Sequence, residues 1–283
     1  MSGFYTGNGI FLTVMSVFWL RIAAALYACG LAYALLVVFR KGLHLFRPAL
    51  IAFAGGAVFH FVSLVELRAE IGHLPINNFY ETTSLCAFLI AVFFLLAYAY
   101  YRVSLFAVCL FPLVFFMTLI GATEVPIASW ASPQIRNAWL LLHVGTVLIG
   151  YAALILSAVG AIFYLVQERQ LKRKQVSTSE HRLPPLATLD RLINQSMNVG
   201  FLFITIGTIA GIIWAFIEQG THWVSNPKIA FFLFTWAFYL AMIFLRVSAG
   251  WRGRRMAWLA VGVLASAVVT WGIHFGLRSL LTQ

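Results

Sequence analysis

The sequence predicts an all-α, polytopic integral membrane protein with about eight transmembrane helices and both termini on the outer side. Three observations lead there. Of 283 residues, 62% are hydrophobic and only 10% are charged, and the mean hydropathy of +0.93 lies outside the range of soluble domains. The apolar residues fall into runs of the length that a hydrocarbon core about 30 Å thick demands of a helix, roughly 20 residues. Unpaired backbone groups are too costly in that medium for such runs to be anything but helices. The net charge of +11, finally, is gathered in short basic clusters between the runs.

The first apolar run covers residues 18–39 and follows a segment with no basic region and no small-residue cleavage site, so it is expected to be a retained insertion signal. The second and third, 49–65 and 84–101, flank the segment HLPINNFYE. The fourth and fifth, 105–120 and 138–165, flank GATEVPIASWASPQIRN. Residues 167–198 then read as a polar linker, its charged part a solvated hinge and its end, LATLDRLINQSM, a short amphipathic helix at the membrane interface. The sixth and seventh runs, 199–217 and 229–245, flank EQGTHWVSNPK, and the eighth covers 256–275. The whole chain, 1–283, is read as a single transmembrane helical domain.

Lys and Arg decide the orientation. The odd-numbered connections hold Arg40, Lys41 and Arg47, then Arg102, then a cluster from Arg169 to Arg191, then Arg246 and Arg252 to Arg255, fourteen in all against four (Arg68, Arg136, Lys228, Arg278) on the opposite side. Cytoplasmic connections carry the excess of basic residues, so the odd connections are expected inside. This placement also explains the positive charge without a nucleic-acid partner, since no basic and aromatic groove is available outside the bilayer. Cys29, Cys86 and Cys109 lie inside apolar runs with no C-x-x-C or C-x-x-C-H spacing. That argues against thiol redox chemistry, a zinc site and covalent haem, and leaves them as small buried hydrophobes.

Histidine is the informative residue type, because an imidazole in the membrane is costly and its neutral nitrogen is a ready metal ligand. His143 lies five residues into the fifth run as it enters from outside, and His274 lies at the outer end of the eighth. Two imidazoles at one depth on different helices could ligate a haem iron axially, with outer-loop aromatics covering the macrocycle. Equally, each could be an interfacial histidine hydrogen-bonded to a neighbour. His60, in the outer half of the second run, and His222, beside Trp223, are further candidates, and His44 and His181 are expected to be idle. No carboxylate pair, Ser/His/Asp set or phosphate loop stands out, and Glu81, Glu218 and Asp190 fall at helix ends where capping explains them. Nothing in the spacing supports enzymatic turnover.

Several stretches together resemble the CcsA/ResC-type cytochrome c assembly proteins, a family that also includes the HemX-like proteins and, more distantly, CcmC. The resemblance runs from about residue 75 to 283. Pro75-Ile-Asn-Asn-Phe-Tyr-Glu81 resembles the family's P-x-x-N-x-Y-E entrance to a span, and His143-Val-Gly-Thr-Val-Leu-Ile-Gly-Tyr151 its first outer histidine followed by G-Y. Leu189-Asp190-Arg191-Leu192, Gly200-Phe201, Gly211-Ile-Ile-Trp214-Ala215, Thr235-Trp236 and Gly250-Trp-Arg-Gly-Arg-Arg255 follow in the family's order.

The resemblance implies haem b, held non-covalently near the outer face for delivery to an apocytochrome c, with a companion assembly subunit and the lipid bilayer as the other partners. His143 would be one axial ligand and His274 the other, with Trp223 and Trp130 packing on the macrocycle. It implies a bacterial inner (cytoplasmic) or thylakoid-type membrane, and a non-enzymatic role or at most that of a subunit in a haem lyase assembly. Three departures stand out. The family's Trp-Ser-Trp-Asp-Pro-Lys-Glu loop reads Trp223-Val-Ser-Asn-Pro-Lys-Ile229, Phe244 replaces a membrane-embedded histidine, and Arg278 replaces the second outer histidine in Gly276-Leu-Arg-Ser279. They favour, as the alternative, a HemX-like accessory protein that affects haem biosynthesis without delivering haem. A small-molecule transporter is a third class, weakened by the lack of buried charges and inverted repeats.

Overall fold

The computed structural model describes residues 7–40, 46–71, 75–76, 78–123, 138–173, 184–221 and 227–281. These form eight α-helices and one 3₁₀ turn, with no strand among the described residues: α1 (Gly7–Arg40), α2 (Phe46–Ile71), α3 (Phe79–Tyr101), the turn Ser104–Phe106, α4 (Ala107–Ala122), α5 (Ala138–Lys172), α6 (Leu186–Gln219), α7 (Pro227–Ser248) and α8 (Arg254–Leu281). The chain is an all-helical polytopic membrane protein. Seven helices, α1 to α7, are long and apolar enough over their described residues to cross a membrane. The eighth, α8, coincides with the last expected run, and its side chains from position 273 onward lie outside the description.

Several expected boundaries shift, α1 beginning at Gly7 instead of residue 18, and two of the shifts bear on how the helices are built. The third span begins five residues before Ser84, because Asn78 caps α3: its side chain accepts the Glu81 backbone N–H at 2.7 Å and donates to the Glu81 carboxylate at 2.8 Å. The apolar run marks where hydrophobicity starts, whereas the cap marks where the helix starts. The amphipathic stretch 186–197, expected as a separate interfacial helix, is the first three turns of the continuous 34-residue α6.

The chain divides into two compact units, one holding α1–α4 and the other α5–α8. In lipid no hydrophobic force drives helices together, so close packing and polar contacts must hold each unit. In the first unit, Phe53 of α2 stacks on Phe111 of α4 at 3.9 Å, and Phe94 of α3 meets both rings edge-on at 5.4 and 5.2 Å. Such aromatic pairs contribute about 0.5–1.5 kcal/mol each. Gly56 leaves room for Tyr27 of α1, whose ring an added Cβ would approach to 2.7 Å.

In the second unit, consecutive helices run antiparallel. α5 and α6 meet along a seam of small residues, where a Cβ on Gly150 would lie 3.1 Å from the Gly200 carbonyl and one on Gly207 would lie 2.6 Å from Val147. Across α7, the Trp236 indole donates to Thr205 at 3.1 Å and the Tyr239 hydroxyl to the Met197 carbonyl at 2.8 Å. Thr235 and Thr270 bridge α7 to α8 at 2.8 Å. At the other end of this unit, Asp190 at the start of α6 pairs with Arg246 at 3.2 Å and accepts the Gly253 N–H at 3.4 Å, tying α6 to the turn that opens α8. Asp190 thus joins three helices, beyond the capping role its position suggests.

Candidate functional site

His143 sits on the second turn of α5 and faces α6 where two glycines stand one turn apart. Its Nδ1 lies 2.7 Å from the Gly207 carbonyl oxygen. A carbonyl oxygen only accepts, so Nδ1 carries the proton and Nε2 is left with its lone pair. Gly211 makes the approach possible, because a Cβ there would lie 2.5 Å from Nδ1 and 2.7 Å from Cε1. Phe232 of α7 meets the imidazole edge-on at 5.8 Å. Three helices therefore fix one ring orientation and one tautomer, and Nε2 has no hydrogen-bond partner among the described residues. Metal-ligating histidines have this arrangement, with the second ring nitrogen tied to a backbone carbonyl that orients the ring and raises its basicity.

The same stripe of α6 continues to Trp214, seven residues beyond Gly207. Its indole N–H is buried and without an acceptor among the described residues. Among the described residues the second unit thus holds an oriented imidazole with an open nitrogen and, further along α6, an unpaired indole donor.

The sequence candidates are placed as follows. His60 is fully buried in the first unit, with Nε2 at 2.9 Å from the Ser84 hydroxyl and Nδ1 at 3.5 Å from the Tyr27 hydroxyl. Both of its nitrogens are engaged and neither faces an open space, so it packs the first unit. His274 lies on α8, but its side chain is outside the described residues, as are Trp130, His222 and Trp223. The backbone register of His274 can still be followed. The Tyr164 hydroxyl of α5 lies 2.7 Å from where a Gly253 Cβ would be. His143 is 21 residues before Tyr164, and position 274 is 21 residues after Gly253. At 1.5 Å per residue, both lie about 32 Å along antiparallel axes from that contact. Among the described residues no group of three His, Cys, Asp or Glu forms a metal cluster.

Gly207 and Gly211 were not singled out as site residues in the sequence. Their signal was there as G-x-x-x-G, the spacing that brings one helix against another in membranes.

Comparison with known proteins shows the family. The family described as cytochrome C assembly protein matches residues 76–282. The chain is 30% identical over 228 residues to the cytochrome c biogenesis protein CcsA of Prochlorococcus marinus (strain MIT 9312), covering 72% of this chain and 74% of the relative. It is 30% identical over 233 residues to CcsA of Guillardia theta, covering 75% of each, and 28% identical over 236 residues to CcsA of Synechococcus sp. (strain CC9311), covering 72% and 77%.

Proposed function

Since the chain belongs to the cytochrome C assembly protein family, whose relatives here are named for cytochrome c biogenesis, we propose that it holds haem b non-covalently at one end of the α5–α8 unit and presents it to an apocytochrome c. The observation that carries this reading is the His143 imidazole, locked by the Gly207 carbonyl with Nε2 left open. His143 would supply one ligand to the haem iron and His274 a second. Trp223 and Trp130 would pack on the macrocycle, and Trp214 would offer a donor. Bound haem would supply an electrophilic iron; the chain itself would orient, shield and release it. A companion assembly subunit completes the system in a bacterial cytoplasmic or thylakoid-type membrane.

The test is maturation. In cells that depend on this chain, His143→Ala is expected to reduce covalently haem-bearing cytochrome c by roughly tenfold or more. Unchanged maturation contradicts the reading.

One observation favours a second reading. Phe244, at the position where many family members place a histidine, is 64% exposed, so that position offers no ligand. A HemX-like accessory protein acting through partners would need none. If replacing Trp223 leaves cytochrome c maturation intact while haem-precursor levels change, this second reading holds.

A further inference from the structure

The turn between α7 and α8, Gly250-Trp-Arg-Gly-Arg-Arg255, has a built shape. Gly250 and Gly253 take φ of 63° and 65°, in the left-handed region that favours glycine. The Trp251 N–H reaches back to the Leu245 carbonyl at 3.3 Å, and the Gly253 N–H is held by Asp190 at 3.4 Å. The Arg255 guanidinium lies 5.4 Å over the Trp251 ring, a cation–π contact at the level where tryptophan favours the membrane interface.

Charge at this turn is not balanced. Asp190 is engaged by Arg246 at 3.2 Å. Glu168 is engaged by Lys172 at 2.7 Å, with Arg254 3.9 Å away. Among the described residues no carboxylate pairs with Arg252 or Arg255, both of which are exposed. The Arg246 Nη1 is buried with no acceptor. On the adjoining ends of α7 and α8, within eleven residues of Arg255 in sequence, the apolar side chains of Phe244, Val247 and Trp258 are exposed by 64%, 80% and 50%. The rule that basic residues gather on the cytoplasmic side accounts for arginines being here. It does not account for the glycine turn that carries them or for the contact of Arg255 with the Trp251 ring.

We infer that this turn binds the headgroup phosphate of an anionic phospholipid, gripped by Arg252 and Arg255, with acyl chains lying against Phe244, Val247 and Trp258. Guanidinium matches phosphate through paired N–H donors, and the apolar wall selects a lipid over a soluble anion. The site is independent of haem.

The test uses the full chain in nanodiscs of phosphatidylcholine, alone or with phosphatidylglycerol, and reads thermal unfolding and the number of phosphatidylglycerol molecules retained by native mass spectrometry. Phosphatidylglycerol is expected to raise the unfolding temperature and to be retained. The double variant Arg252→Gln/Arg255→Gln should lose that rise and weaken retention by about tenfold or more. A charge-matched control at the same end of the unit, Arg169→Gln/Arg173→Gln, should keep both. Equal loss in the two variants would mean diffuse attraction and overturn the site. An unfolding temperature no higher with phosphatidylglycerol than with phosphatidylcholine alone, or an equal rise with inorganic phosphate, would overturn the lipid assignment. Should the double variant not fold, photoreactive phosphatidylglycerol on the wild-type chain decides: labelling within residues 244–258 supports the site, and labelling confined elsewhere contradicts it.

Discussion

The Nδ1 of His143 donates to the carbonyl oxygen of Gly207 across 2.7 Å, and this bond fixes the orientation of a half-buried imidazole. A helical carbonyl already accepts from the residue four positions on; its second lone pair takes the imidazole proton. Such a bond needs the ring close to the α6 backbone, which only a side-chain-free surface allows.

Gly211→Ala is therefore expected to displace the ring. The added Cβ would lie 2.5 Å from Nδ1, and overpacking of this kind costs about 1–3 kcal/mol. Disturbing the partner that orients a metal-ligating histidine typically costs about 10–100-fold in affinity. Haem titration of the purified variant measures this, and wild-type affinity would mean that the ring is not held from Gly211.

His60→Phe separates packing from ligation. The replacement leaves the Ser84 hydroxyl, now 2.9 Å from Nε2, without that partner, at a cost of about 1–3 kcal/mol for a buried polar group. Thermal unfolding should shift down while the His143-dependent absorption of bound haem is unchanged. Loss of the absorption at full stability would make His60 a ligand.

The fold was largely legible in the sequence, since run length and hydropathy mark helices directly in a membrane protein. Less legible were the features that hydropathy does not encode. The start of α3 is set by Asn78 and Glu81, two polar residues outside the apolar run, and α6 continues through the polar turn at Asp190 because that carboxylate meets Arg246, 56 residues away. At the site, His143 was readable as an intramembrane imidazole. Its orienting partner was not, because the acceptor is a backbone carbonyl and every residue has one. His60 was a further candidate in the sequence, and its contacts with Ser84 and Tyr27, both through side-chain hydroxyls, are likewise not encoded in hydropathy.

Asp190→Asn should loosen the far end of the second unit. The substitution weakens the Arg246 pairing and the hold on the Gly253 N–H, both partly exposed, for about 1–3 kcal/mol. Adding Arg246→Met should cost less than the sum of the two single changes, because the second removes the cation that the first left unpaired. A double-mutant cycle of unfolding free energies checks this, and strict additivity would show that the two residues do not interact.

Asn78→Ala is expected to destabilise by about 1 kcal/mol through loss of the cap on α3, and Asn78→Asp to destabilise as well, since aspartate accepts from the Glu81 N–H but replaces the amide donor with a second carboxylate against the Glu81 side chain. Unfolding midpoints of the two variants provide the comparison.

The most direct measurement is the absorption spectrum, with pyridine haemochrome, of the protein purified in mild detergent from haem-replete cells. The expected result is a Soret band and a b-type haemochrome in the wild type, both lost in His143→Ala. A colourless wild type, or a Soret band that His143→Ala leaves untouched, contradicts the claim that the oriented imidazole of His143 holds haem.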